Sequence, residues 1–207
     1  MPTVHAAGIG APTLATLRNI LNCAVVVLPT SLAAASHATP LDNPYAKESL
    51  VLMLRWFMLS AGIVVADRLS KLWILDRYTL FDSEPITSFF NLVLVMNSGA
   101  AFSFLANAGG WQKWFFVALT VAVSVWLVFM LRQHQKERLL PTALAMILGG
   151  AIGNLIDRLR YDAVVDFLDF HLAGYHFPAF NVADSAISVG VALMLIAEVR
   201  RNKGTAP

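Results

Sequence analysis

Asp67, Asp157, Asp166 and Asp184 are carboxylates set in or beside long apolar runs. An ionisable side chain in hydrocarbon costs about 3 kcal/mol on insertion scales, so each marks a candidate functional position. Two carboxyl groups held close share one proton, and one can then act as base while the other acts as acid at the same pH. Such a pair can activate water against an amide without a metal or a covalent intermediate. Other chemistries lack their parts. His171 and His176 have no flanking nucleophile pattern, and the single cysteine, Cys23, excludes an internal disulfide and a cysteine-based metal cluster. No His/Cys cluster at helical spacing offers a zinc site, so neither metal nor cofactor is expected.

The residues around the carboxylates could hold them. Asp67 and Lys71 are four apart in the favourable acid-before-base order and can pair on one helix face. Gly150, Asn154 and Asp157 follow by steps of four and three and share a face. Gly149 and Gly153 form a small-xxx-small pair beside it, which lets another helix come close. Asn97-Ser98-Gly99 reads as a tight turn where the backbone approaches something closely. Asp184 falls within the first turn of a predicted helix, whose dipole favours an anion. Asp166 lies among Val164, Val165, Phe167 and Leu168, where desolvation and a like charge would raise its pKa. Asp184 is therefore expected to ionise first, with Asp166 holding the proton. On spacing alone Asp157 rivals Asp166 as the partner of Asp184. Its bland alternative is a salt bridge to Arg158 or Arg160 at the helix end, and a carboxylate clamped by a cation makes a better scaffold than proton donor.

The elements that must position these groups follow from composition. The chain of 207 residues is 57% hydrophobic and 14% charged, with mean hydropathy +0.65; a soluble domain has about a quarter of its residues charged. This is the composition of an integral membrane protein. A net charge of +2 is too modest to suggest a nucleic-acid partner. Apolar runs of the length a bilayer requires extend over about Leu52–Leu75, Trp111–Leu131, Leu139–Leu159 and Phe180–Val199. Between the first two, Leu92–Val95 is β-prone, and Phe89 and Phe90 suit a membrane interface. Residues 160–179 read as a loop. The spacing predicts a membrane all-α fold: a four-transmembrane-helix bundle with a small extracytoplasmic β-rich element and a second periplasmic loop. Residues 1–50 form an N-terminal extension of unknown role, read as disordered or as a start placed too far upstream. Residues 51–200 form the membrane domain and 201–207 a cytoplasmic tail.

Charge sets the orientation. Arg132, Lys136 and Arg138 follow the second span, and Arg200, Arg201 and Lys203 follow the fourth, whereas the other two connections carry Asp76, Asp82, Glu84, Asp162, Asp166 and Asp169. The positive-inside rule places both chain ends in the cytoplasm and the acidic connections outside. Asp157 lies 18 residues after Leu139, about 27 Å along a helix, near the outer end of its span. Asp67, Asn97, Asp166, Asn181 and Asp184 reach the same outer layer. A cation or proton pathway would also gather carboxylates, but it would need them through the bilayer depth and at both faces. The cytoplasmic halves of spans two to four are apolar.

Asp67-x-x-x-Lys71, Asn97-x-Gly99-x-Ala101-Phe102-Ser103, Gly153-Asn154-x-x-Asp157-Arg158, Val164-Val165-Asp166-Phe167 and Phe180-Asn181-x-Ala183-Asp184 together resemble signal peptidase II, the prolipoprotein signal peptidase of bacteria (aspartyl peptidase family A8). The resemblance spans about residues 52–200, with the motifs in the family's order and spacing. It implies a four-helix inner-membrane aspartyl endopeptidase that cleaves just before the lipid-modified cysteine of diacylglyceryl-modified prolipoproteins. It implies Asp166 and Asp184 as the catalytic pair. It also implies Asp67, Lys71, Asn97, Gly99, Asn154, Asp157, Arg158, Asn181 and Ala183 as residues that line or support the substrate site. Membrane lipid and globomycin-type inhibitors are the further expected partners.

Overall fold

A computed structural model describes residues 44–99 and 111–204. The expectations for residues 1–43, for Ala101-Phe102-Ser103 and for residues 205–207 lie outside the described residues. The chain order is α1 (Pro44–Arg77), β1 (Ser83–Thr87), β2 (Phe90–Asn97), α2 (Gln112–His134), α3 (Leu139–Tyr161), β3 (Val164–Leu172), β4 (Tyr175–His176) and α4 (Val182–Gly204).

Among the described residues four helices are long and apolar enough to cross a membrane. They do not share the interior equally. The most apolar stretch of α3 is 61% buried against 17% for each of the other three, and α3 packs on all of them. The outward faces of its neighbours carry exposed Leu54, Val65, Leu69, Val125, Phe129 and Leu195. Such a surface would aggregate in water and is at home in acyl chains. One apolar core joins Met53 and Trp56 of α1, Leu127 and Leu131 of α2, and Leu140, Leu144 and Leu148 of α3.

α1 starts at Pro44, earlier than the expected Leu52, and runs for 34 residues. Proline suits a first helical position, where its missing N–H has no intrahelical acceptor in any case. The extra turns are anchored on the α2–α3 connection: Trp56 Nε1 donates to the Gln135 carbonyl at 3.1 Å, and Gln135 Nε2 donates to Ser49 Oγ at 2.9 Å.

The expected loop over residues 160–179 is instead mostly sheet. β3 pairs antiparallel with β2, and the four strands run in the order β1-β2-β3-β4. Its alternation is masked in the sequence because both faces are largely covered: Val164, Val165, Asp166 and Phe167 are all buried. Val165 and Phe167 join Ile74 and Leu94 in a second apolar cluster under the sheet. A bulge between Leu92 and Val95 of β2 shifts the register, so that Val95 faces Asp166 and Asn97 faces Val164. Asp162, at φ 61°, ends α3 in the left-handed region that Asp tolerates better than most residues.

Close approach of α3 to its neighbours depends on glycine. A Cβ on Gly149 would lie 2.7 Å from the Ser60 carbonyl oxygen, and one on Gly150 would collide with the Ala183 carbonyl. A Cβ on Gly153 would lie 2.7 Å from Asp67 Oδ2. The three glycines thus bring α1 and α4 against the helix that carries Asn154 and Asp157.

Candidate active site

Both halves of the expected site meet at one end of the bundle. Lys71, fully buried, has Asp157 Oδ2 at 2.7 Å and Asp67 Oδ2 at 2.8 Å, and donates to Asn154 Oδ1 at 3.0 Å. An ammonium has three N–H donors and no acceptor, and three oxygens lie around this one. The other carboxylate oxygens are used as well. Asp67 Oδ1 accepts the Ala183 N–H at 2.9 Å, Asp157 Oδ2 also accepts the Val165 N–H at 3.2 Å, and Asp157 Oδ1 pairs with Arg68. Buried charges persist when paired; every charge of this cluster has an ion-pair partner, while Asp67 Oδ2 and Arg68 Nη2 are buried without a hydrogen bond among the described residues.

The expected salt bridge from Asp157 to Arg158 or Arg160 is not formed. Consecutive helix residues point about 100° apart, so Arg158 cannot turn back onto Asp157. Its Nη2 donates to the Gly99 carbonyl at 3.1 Å, and its guanidinium lies 4.9 Å from the Phe116 ring centre. Arg160 lies over Tyr161. The true partners of Asp157 come from α1. Arg68, which carries no assigned part in the sequence reading, is one of them; a cation next to Asp67 inside an apolar run was the available signal.

Asp166 and Asp184 are joined through Asn181. Asn181 caps α4: its Oδ1 accepts the Asp184 N–H at 2.9 Å while Asp184 Oδ2 accepts the Asn181 N–H at 3.3 Å. This is a capping box, and the spacing Asn181-x-x-Asp184 is its sequence signature. With Oδ1 committed to the cap, the Asn181 amide nitrogen turns to Asp166 Oδ1 at 2.7 Å. Asn97 donates to Asp166 Oδ2 at 3.0 Å, its own oxygen accepting the Gly99 N–H at 3.0 Å. Strand geometry accounts for that contact. Val95 is opposite Asp166, and Asn97, two residues on, shares its face and reaches Asp166 diagonally. Asn154 Nδ2 donates to Asp184 Oδ1 at 2.7 Å.

Burial pushes the Asp166 carboxyl up from its ordinary 3.8 to about 7, and the Asp184 charge adds to the rise. The amides of Asn97 and Asn181 and the charge of Lys71 act in the opposite direction without cancelling it. Asp166 is 3% exposed, whereas Asp184 is only partly buried. Among the described residues no group of three or more His, Cys, Asp or Glu is arranged to hold a metal ion.

A second polar cluster lies in the sheet. Asp169, directly opposite Asn91, accepts its amide at 2.8 Å and meets His176 Nδ1 at 2.9 Å, and His176 stacks on His171. Sequence reasoning treated Asp169 only as a loop charge. Among the described residues no side-chain hydrogen bond or ion pair joins Asp169 to the carboxyl pair or the Lys71 cluster.

Four membrane-length helices with paired carboxylates at one end of the bundle have the layout of a membrane aspartyl peptidase. The profile of signal peptidase (SPase) II matches residues 59–200. The chain belongs to the signal peptidase II family. It is 56% identical over 146 residues to a lipoprotein signal peptidase of Ralstonia nicotianae, covering 70% of this chain and 84% of that one. It is 52% identical over 157 residues to a lipoprotein signal peptidase of Azoarcus sp., covering 76% and 89%. Among solved structures it is similar to a bacterial membrane enzyme determined by the in meso method at 2.3 Å resolution, with TM-score 0.67, 30% identity, and coverage of 73% of this chain and 92% of that one. A second such structure, at 1.9 Å, gives TM-score 0.62 and 32% identity over 69% and 91%.

Proposed function

We propose that this chain is the aspartyl endopeptidase that removes signal peptides from prolipoproteins, with Asp166 and Asp184 as its reacting pair. Family membership carries the reaction class. The observation that carries the residues is the bridging by Asn181, whose backbone N–H is accepted by Asp184 Oδ2 and whose amide donates to Asp166 Oδ1.

In the proposed reaction Asp184 is the ionised member and takes a proton from water as the oxygen attacks the scissile carbonyl carbon. Asp166 gives its proton to the carbonyl oxygen, producing a tetrahedral diol. Collapse of the diol transfers a proton to the leaving nitrogen, breaks the C–N bond and returns the pair to one shared proton. Arg158, Asn97 and Gly99 border the pair and would meet the substrate backbone. Asp67, Lys71, Asp157 and Ala183 lie behind it and support the chains that carry it.

The charge pattern supports a multi-pass orientation in a bacterial inner membrane with both ends cytoplasmic, a sheet outside and the pair near the outer leaflet. Cleavage would fall just before a diacylglyceryl-modified cysteine, whose acyl chains would remain in the surrounding lipid. A globomycin-type cyclic peptide would occupy the same site. Among the described residues a cation pathway has no second half, because the opposite end of the bundle closes on Met53, Trp56, Leu127, Leu131 and Leu144. The test is cleavage of a diacylglyceryl-modified prolipoprotein by the purified protein. Cleavage at the residue preceding the lipidated cysteine, blocked by globomycin, is expected. Cleavage of the unlipidated precursor at the same rate would contradict the reading.

A further inference from the structure

Three amides surround the carboxyl pair, and each has its oxygen committed elsewhere. Asn97 Oδ1 accepts the Gly99 N–H and Asn181 Oδ1 accepts the Asp184 N–H. Asn154 Oδ1 accepts Lys71 Nζ at 3.0 Å and, more distantly, the Asn181 amide at 3.3 Å. Each therefore presents its NH2 group to a carboxylate. Two of the three are oriented by backbone N–H groups, which cannot change sign. The third depends on a side-chain ammonium. Without that donor, only the 3.3 Å contact from the Asn181 amide opposes a half-turn that would present the Asn154 oxygen to Asp184.

Lys71 reaches the pair by two further routes. Asp67, paired with Lys71, accepts the N–H of Ala183, the residue before Asp184. Asp157, also paired with Lys71, accepts the N–H of Val165, the residue before Asp166. One buried ammonium thus stands behind both backbone segments that carry the pair and behind the amide that faces Asp184.

We infer that Lys71 is a positioning residue for peptide hydrolysis: its ammonium fixes Asn154 as a hydrogen-bond donor to Asp184 and, through Asp67 and Asp157, holds the backbone beneath both carboxyls. This rests on Asp166 and Asp184 being the reacting pair. A bland role, in which Lys71 merely neutralises two buried carboxylates, would leave kcat of the folded protein unchanged when Lys71 is removed. The positioning role does not. With Asn154 held as a donor, Asp184 Oδ1 accepts a hydrogen bond that favours its anion, as the amides of Asn97 and Asn181 do at Asp166. The groups facing Asp166 are Asn97 from β2, Asn181 and Asp184 from the start of α4, and the charges of Lys71 from α1 and Arg158 from α3.

The test uses the full chain in mixed lipid–detergent micelles with a diacylglyceryl-modified peptide, reading kcat, KM, the pH profile and thermal stability. Lys71→Met is expected to lower kcat by about 100-fold with KM within about threefold. Both limbs of its pH profile should move upward, because the pair loses a nearby positive charge. Asn154→Leu leaves every charge in place and removes the donor to Asp184 together with the oxygen that Lys71 and Asn181 share; its kcat should also fall, with the acid limb moved upward. Unchanged kcat in folded Lys71→Met, or an unmoved pH profile in Asn154→Leu, overturns the inference whatever the melting temperature does. If Lys71→Met does not fold, Asn154→Leu decides alone. Asp166→Asn and Asp184→Asn are run alongside. Activity retained there removes the pair itself, whereas activity lost there beside unmoved profiles removes only the role of Lys71.

Discussion

The two ends of the helix bundle are held by different forces. At the α2–α3 end, Met53, Trp56, Leu127, Leu131, Leu140 and Leu144 interdigitate, and one indole N–H on a carbonyl is the principal polar tie. At the other end, Asp67, Lys71, Asn154, Asp157 and Asn181 are buried as deeply, and every cation has an oxygen partner. Apolar packing is tolerant: side chains of similar volume exchange at modest cost. A buried ion cluster is intolerant, because removing one member strands another charge. The packed end serves stability, and the ionic end gives up some of it to hold two carboxylates in one arrangement.

The difference should be greatest in activity. Asp166→Asn and Asp184→Asn are each expected to lower kcat by about 1,000-fold or more while the protein still folds, since each would remove one proton-transfer group of the proposed pair. Small, equal losses would show that neither carboxyl takes part. Asp157→Asn comes next, at about 3–5 kcal/mol of stability, because Lys71 and Arg68 lose a charge they share. Leu144→Ala at the packed end should cost about 2–5 kcal/mol, a similar loss, from the cavity it leaves. The two variants separate on kcat of the folded fraction: unchanged in Leu144→Ala, and lowered in Asp157→Asn because Val165 is released. Thermal unfolding in micelles together with single-turnover cleavage measures both. Equal kcat in the two would erase the distinction between the ends.

What is legible in the sequence divides along the same line. Helix length and apolarity are local, so the four spans can be read directly, and so can the i, i+4 pairing of Asp67 with Lys71. Partners distant in the chain cannot. Asp157 has Arg158 and Arg160 as neighbours in sequence, yet pairs with Arg68 and Lys71, more than 80 residues away. β3 hides among residues 160–179 because both of its faces are covered and its partner, β2, precedes an entire pair of helices. The capping box at Asn181 is local and could have been read. Its second use, the amide on Asp166, depends on the sheet.

A smaller effect follows from pH. The Asp166 carboxyl is raised from 3.8 to about 7 in the folded chain, so the folded state binds its proton more tightly than the unfolded state. Its contribution to stability is fully present below about pH 4 and declines as pH rises to about 7, by up to about 1.4 kcal/mol per pH unit. Asn at this position has no such slope. Wild type should therefore lose stability relative to Asp166→Asn between about pH 4 and pH 7, the window these values bracket. Parallel melting curves for the two proteins across that range would show that the carboxyl is not held up by burial.

The smallest effect is expected where a buried aspartate has a partner open to water. Asp169 is 7% exposed and Asp67 is fully buried, so by burial the two are alike. Their partners differ: Lys71 is enclosed, whereas the His176 side chain is 53% exposed and can be replaced at Asp169 by solvent. The Asn91 amide would also remain on Asp169 after His176 is removed. His176→Gln should then cost less than about 1 kcal/mol, the range of exposed ion pairs, and leave kcat unchanged. A loss as large as that of Asp157→Asn would show that enclosure of the partner is not what makes the ionic end of the bundle intolerant. The role assigned to the buried cluster would then have to be carried by its connection to Ala183 and Val165 alone.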